Sequence, residues 1–177
     1  MKRSELEHII RAAGAIAGDD DIVIVGSQSV LGQFPLAPAS LLVSTEADVY
    51  PRRDPSRSEL VDGAIGEGSS FHEQFGYYAQ GVDDTTATLP RNWKRRLIPI
   101  RNDNTRGVTG WCLEVHDLAI SKYVAGRPKD VAFTRELARH RMIVESTLVA
   151  RLKVTRLARP LRETVAARIK ADFIQRG

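Results

Sequence analysis

Two carboxylates stand two residues apart, at Glu46 and Asp48, in the stretch LLVSTEADVYP. On a strand, residues i and i+2 point to the same face, so this pair can share one divalent cation. Magnesium or manganese suits such a donor set: both favour oxygen ligands, and magnesium usually keeps several waters together with substrate phosphates. An ion of that kind clamps the attacking and leaving oxygens in phosphoryl-type transfer. Upstream, IVIVGSQSVLG supplies what carboxylates cannot. Gly26 lets the backbone approach a phosphate, and the turn amides and the Ser27 hydroxyl can donate hydrogen bonds to it. Alone, Glu-x-Asp reads as a solvated strand edge and Gly26 as a turn glycine. Together they read as a site, because clustered carboxylates repel one another unless a cation joins them.

The elements that must position these residues can be read from periodicity. Ser4-Glu5-Leu6-Glu7 reads as a capping box, and Leu6, Ile9, Ile10 and Ala13 follow helical spacing up to Gly18. The apolar run Ile22–Val25 predicts a buried strand, Gly26–Ser29 a turn, and Val30-Leu31 the start of a short helix. Leu41–Val43 and Asp48–Tyr50 predict a second extended segment, residues 51–58 a loop, and Ser58 to Ile65 a turn or two of helix. Phe75–Val82, Leu97–Ile100 and Trp111–Val115 are further strand candidates, the last two separated by a polar turn. From His116 the pattern is helical. Asp117 is placed to cap a helix that ends at Gly126, and Pro128 fits the first turn of the next. Amphipathic helices are expected near 144–157 and 160–175, the second with Leu161, Val165, Ile169 and Phe173 in one stripe. The pattern predicts an α/β or α+β fold: one domain over 1–177, with a small mixed sheet in about 1–115 and a helical half in about 116–177.

With 177 residues and 42% hydrophobic residues, the chain can bury a core without covalent staples. The single cysteine, Cys112, excludes a disulfide framework and a cysteine-based zinc site, and the four histidines show no metal-ligand spacing. No apolar run reaches the roughly 18 to 20 residues of a membrane span. The N-terminus carries no apolar signal core, so a cytoplasmic location and no membrane partner are expected. Charge is uneven along the chain. Residues 1–90 hold six Lys/Arg against fourteen Asp/Glu, whereas residues 135–177 hold eleven against four. The acidic front suits a metal site, and the basic back suits a polyanion such as a nucleotide or RNA, or else is a solvated helical surface. Lys94-Arg95-Arg96 is the best local candidate for an RNA phosphate contact. The Tyr77-Tyr78 pair, Trp93 and Trp111 read as core rather than base-stacking platforms.

The Gly-Ser turn after a hydrophobic strand, followed by an acidic-x-acidic pair on the next, resembles the nucleotidyltransferase superfamily of the polymerase-beta type. The first acid is Glu46 where most relatives have Asp, and the gap from Ser27 to Glu46 is longer than usual. The segment LEVHDLAISKYVAGRPKDVAF resembles the helical part of nucleotidyltransferase-like toxins of type IV, abortive-infection type, toxin–antitoxin systems. The wording from GSQSVLGQFP through EADVYP, FGYYAQG and NTRGVTGWCLEVHDLAISK is similar to a widespread bacterial family of nucleotidyltransferase-fold proteins.

The resemblance implies roles. Glu46 and Asp48 would hold Mg²⁺ or Mn²⁺, with Glu114 as a third carboxylate. Gly26 and Ser27 would cradle phosphate oxygens of a nucleoside triphosphate. Lys122 would neutralise the triphosphate, and Arg127 falls where relatives often have an arginine. Asp130 would orient Lys122 or activate the acceptor hydroxyl. The acceptor implied is a tRNA or another RNA, and the partner implied is a cognate antitoxin protein. Two other readings stay open: a catalytically weak module of the same fold that binds nucleotide, RNA or protein, and a nucleotidyltransferase for an antibiotic-like small molecule.

Overall fold

The computed structural model describes residues 1–174. It divides into two compact units, and both are discontinuous in sequence. The first comprises Met1–Thr86 and Leu97–Leu113; the second comprises Ala87–Arg96 and the chain from Glu114 onward. Among the described residues no helix is long and apolar enough to cross a membrane.

The first unit carries the sheet. Its elements are α1 (Arg3–Ala17), β1 (Asp21–Ile24), α2 (Val30–Gln33), β2 (Glu46–Pro51), α3 (Ser58–Ile65), α4 (Ser70–Phe75), β3 (Tyr78–Gly81), β4 (Ile98–Ile100) and β5 (Thr109–Cys112). The strands lie in the order β3-β2-β1-β5-β4, with β1–β2 and β4–β5 antiparallel and β1–β5 and β2–β3 parallel. The mixed α/β architecture expected from the sequence is therefore present. Strand alternation sorts the two faces. Ile22, Ile24, Ala47, Val49, Ala79 and Cys112 share one face through the ladder register, and all are fully buried. Helix α1 covers that face with Leu6, Ile9, Ile10 and Ala13, and Ile10 lies over Gly110 beside Ile22. Glu46, Asp48, Tyr78 and Gln80 therefore fall on the other face.

Several local expectations shift. Helix α1 begins at Arg3, and the Lys2 N–H donates to Glu5 (2.6 Å), so the box lies two residues before the Ser4–Glu7 pair. Glu7 has better partners elsewhere: it is buried and accepts from Arg3, Asn102 and Asn104, each at 2.8 Å. Burial pushes its carboxyl up, but these donors outweigh burial and hold it below the usual range. Leu41–Val43 lies outside any strand, because Ala39–Leu41 closes a 3-10 turn and β2 starts at Glu46. Phe75 ends α4 rather than opening β3, and β5 stops at Cys112, two residues before Glu114.

The second unit is helical: α5 (Val115–Ala125), α6 (Pro128–Arg139), α7 (Glu145–Lys153) and α8 (Arg159–Ile174). Three consecutive buried residues, Leu118, Ala119 and Ile120, mark α5 as the central helix, and it packs on α6, α7 and α8. In the α8 stripe Val165 and Ile169 are buried, whereas Leu161 and Phe173 remain partly exposed. Asp117 does not cap α5. It is buried and receives Arg96 at 2.8 Å on Oδ2 and 3.1 Å on Oδ1, with Arg151 Nε also 3.1 Å from Oδ1. Burial pushes the Asp117 carboxyl up, against the pull of the two guanidinium groups. This triad, with the Arg91 N–H donating to the Val154 carbonyl (3.1 Å), fastens Ala87–Arg96 to the helices. Arg96 is thereby committed to Asp117 rather than to an RNA phosphate.

Replacing Asp117 with Asn leaves two guanidinium groups facing each other without a counter-charge. Removing one member of such a group costs about 3 to 5 kcal/mol. Urea unfolding of Asp117→Asn is expected to show an unfolding free energy lower by about 3 to 5 kcal/mol, read as a lower midpoint at unchanged slope.

Candidate functional site

The first unit builds an acidic site from one turn and one strand. At the end of β1, the Val25 N–H donates to the Asp48 carbonyl (3.1 Å), so the antiparallel pairing carries on to the edge of the turn. Ser27–Ser29 then forms a 3-10 turn. Ser29, fully buried, ties it back by donating its hydroxyl to the Ile24 carbonyl (2.7 Å). Gly26 has ordinary extended torsions, so its requirement is space rather than conformation. A β-carbon there would overlap Asp48 Oδ2 and lie 2.7 Å from Asp48 Cγ. The carboxylate is thus laid against bare backbone at the mouth of the Gly-Ser turn, and Ser27, next to Gly26 in sequence, is half-buried.

Glu46 and Asp48 are both partly exposed on the same face of β2. The Tyr78 hydroxyl donates to Glu46 Oε2 (3.1 Å) from the paired position on β3. Burial and the neighbouring carboxylates push the Tyr78 phenol up to about 12, so it stays a donor at any physiological pH. Asp48 pairs in register with Gln80, whose amide donates to Asp62 (3.0 Å). The long connection from the turn to β2 is drawn back at Ser44. Gln28 donates to the Ser44 carbonyl (3.0 Å), and the Ser44 hydroxyl accepts from the Glu46 N–H (3.1 Å). Sequence reading missed Gln28, Ser29 and Ser44. Their only signal was a run of small polar residues around Gly26 and before Glu46.

The second unit holds a cluster of its own. Gly126, in the left-handed region (φ 61°), ends α5, and Pro128 opens α6 directly after Arg127. That tight turn brings Asp130, in the first turn of α6, to Lys122 in the last turn of α5. Lys122 Nζ lies 3.3 Å from Asp130 Oδ1, and Arg127 Nε lies 2.7 Å from Oδ2. Burial pushes the Asp130 carboxyl up, but Arg127 and Lys122 outweigh it and hold it below the usual range. Lys122 is 14% exposed and Arg127 58%, so Arg127 is the cation presented to solvent.

Glu114 is the N-cap of α5 rather than a strand residue. It accepts from the N–H groups of His116 (3.1 Å) and Asp117 (3.4 Å), and its Oε1 is 2.6 Å from His116 Nδ1. Burial acts against its ionised form, and His116 with the two amides overcomes that, holding the carboxyl low. His116 Nε2 accepts from the Val144 N–H (3.0 Å), which fixes the ring between the starts of α5 and α7. Among the described residues no group of three or more His, Cys, Asp or Glu is arranged to hold a metal ion. The donor set on β2 is a carboxylate pair, which leaves the remaining positions of a magnesium ion to water and phosphate.

The Asp130 cluster has a pH signature. A carboxyl lowered by folding stabilises the fold above its unfolded value, about 4, and loses that contribution as pH falls through the lower folded value. In denaturant titrations, the stability gap between wild type and Asp130→Asn is expected to be flat from pH 8 to 5. It should then close on acidification below pH 4.

Residues 4–173 match the family described as nucleotidyltransferase of unknown function (DUF6036). No curated protein and no solved structure matches the chain. The acidic pair beside a Gly-Ser turn and a family match over nearly the whole length agree, and the chain belongs to this nucleotidyltransferase family.

Proposed function

We propose that the protein is a metal-dependent enzyme that moves a nucleotidyl group from a nucleoside triphosphate to an acceptor hydroxyl. The observation that carries this reading is the Asp48 carboxylate lying where a Gly26 side chain would be, on the same face as Glu46. All-oxygen donors of this kind fit Mg²⁺ or Mn²⁺. When bound, the ion would neutralise phosphate oxygens and hold the reacting groups in line.

The chain's own residues supply the rest. Ser27 and the turn amides offer donors for phosphate oxygens. Lys122 offers positive charge for a triphosphate. Asp130 holds Lys122 in place, and its two cationic partners, Lys122 and Arg127, favour positioning over proton abstraction. Glu114, fully engaged at its helix cap, is better placed as a structural residue than as a third ligand.

For the acceptor, the resemblance to type IV toxins points to tRNA, with an antitoxin as the regulating partner. The exposed Arg141, Lys153, Arg156 and Lys170 of the helical unit support a polyanionic substrate. Nucleoside triphosphates and tRNA meet in the cytoplasm, which is the proposed place of action.

The test is incorporation of each α-³²P-labelled nucleoside triphosphate into total tRNA with Mg²⁺. Wild type is expected to label RNA, and Asp48→Asn to fall to background while keeping its melting temperature. Absence of label from folded wild-type protein would favour a binding module or a small-molecule acceptor. Gly26→Ala separates site geometry from folding. The displaced group is the end of a side chain, which can rotate away, so the fold should hold. A displaced ligand is expected to reduce incorporation by about 100-fold, the cost of misplacing a catalytic group by about 1 Å.

A further inference from the structure

The two carboxylates on β2 are not equivalent. Both face β3 in a parallel ladder, Glu46 opposite Tyr78 and Asp48 opposite Gln80. Gln80 is turned away, its amide given to Asp62. Tyr78 is turned toward its neighbour, with a buried ring and its hydroxyl on Glu46 Oε2 (3.1 Å). Glutamate has one more rotatable bond than aspartate, so fixing its carboxylate costs more side-chain entropy. Asp48 lies against Gly26, and Glu46 receives the Tyr78 hydroxyl.

We infer that Tyr78 is the positioning residue of the metal site: it pins Glu46 by Oε2 and so presents Oε1 as the oxygen that turns to a cation. This rests on the metal-dependent reading above. Tyr78 touches neither nucleotide nor acceptor in this role. It acts through Glu46, as the partners of metal-ligating groups commonly do. The buried ring makes the arrangement rigid, because the hydroxyl is delivered from a strand rather than a loop.

The test is Mn²⁺ binding to metal-free protein, followed by electron paramagnetic resonance of free Mn²⁺, for wild type, Asp48→Asn, Tyr78→Phe, Glu46→Asp and the Tyr78→Phe/Glu46→Asp double variant. Phe removes only the hydroxyl, and circular dichroism and melting temperature check that each variant is folded. Tyr78→Phe is expected to weaken Mn²⁺ binding by about 10-fold or more. In the Glu46→Asp background, where the shorter carboxylate draws back from the hydroxyl, the same change should alter binding less than about 2-fold. In turnover, Tyr78→Phe should raise the metal concentration needed for half-maximal rate more than it lowers kcat at saturating metal. Unchanged Mn²⁺ affinity in Tyr78→Phe, or an equal loss in both backgrounds, overturns the inference while the metal site stands, provided that Asp48→Asn still loses binding. If wild type and Asp48→Asn bind Mn²⁺ alike, the metal-dependent reading fails and the inference fails with it. Should Tyr78→Phe be too unstable to titrate, Tyr78→Met, which also lacks the hydroxyl, takes its place in both backgrounds and is read by the same outcomes.

Discussion

The absence of a side chain at Gly26 is the constraint on which the acidic site depends. It lets a carboxylate lie directly against the chain where β1 gives way to the turn. That placement is possible only because β1 and β2 are antiparallel, with Ile24 opposite Val49, which sets Asp48 level with the first turn residues. Ser29 holds the turn to the strand it left, and Gln28 holds the incoming chain at Ser44. The site is therefore a property of register: a slip of one residue in β2 would send both acids into the apolar face under α1.

The buried acids show two uses of the same group. Asp117 and Asp130 are almost fully enclosed, and each is met by two basic side chains. Asp117 between Arg96 and Arg151 holds a stretch of chain in place; Asp130 between Lys122 and Arg127 joins the end of one helix to the start of the next. Glu46 and Asp48 are instead partly exposed on one face of β2, opposite Tyr78 and Gln80 of β3. Enclosure between cations builds the frame, and partial exposure on a strand keeps a carboxylate within reach of solvent.

Much of this was legible in the sequence, and the limits follow from the physics. β1, α3, α5 and α6 could be read because their signals are local: an apolar run, helical spacing, a terminating glycine, a proline in a first turn. The pairing of Glu46 with Asp48 could be read from strand alternation, and that of Lys122 with Asp130 from the resemblance. The assignments that shifted depended on distant partners. Glu7 left its expected cap for Asn102 and Asn104, Asp117 left its cap for Arg96 and Arg151, and Glu114 took the cap that Asp117 was expected to fill. Tyr78 read as core, and its ring is core. Its hydroxyl found Glu46 through a β2–β3 register that no local pattern specifies.

The chain passes between its two units at 86/87, 96/97 and 113/114. Ribosomal synthesis therefore delivers them in an awkward order. Ala87–Arg96 emerges before any of the helices it fastens to, and β1 must wait for β5, nearly ninety residues later, before it gains its second neighbour. No fragment obtained by a single cut contains one unit complete and nothing else. A piece ending at Leu113 keeps the whole sheet but trails a stretch whose Arg96 has lost Asp117. A piece starting at Glu114 keeps four helices but leaves Asp117 with Arg151 alone. Dissecting the protein into an acidic half and a basic half thus calls for circular permutation or a linker bridging 86 to 97, rather than truncation.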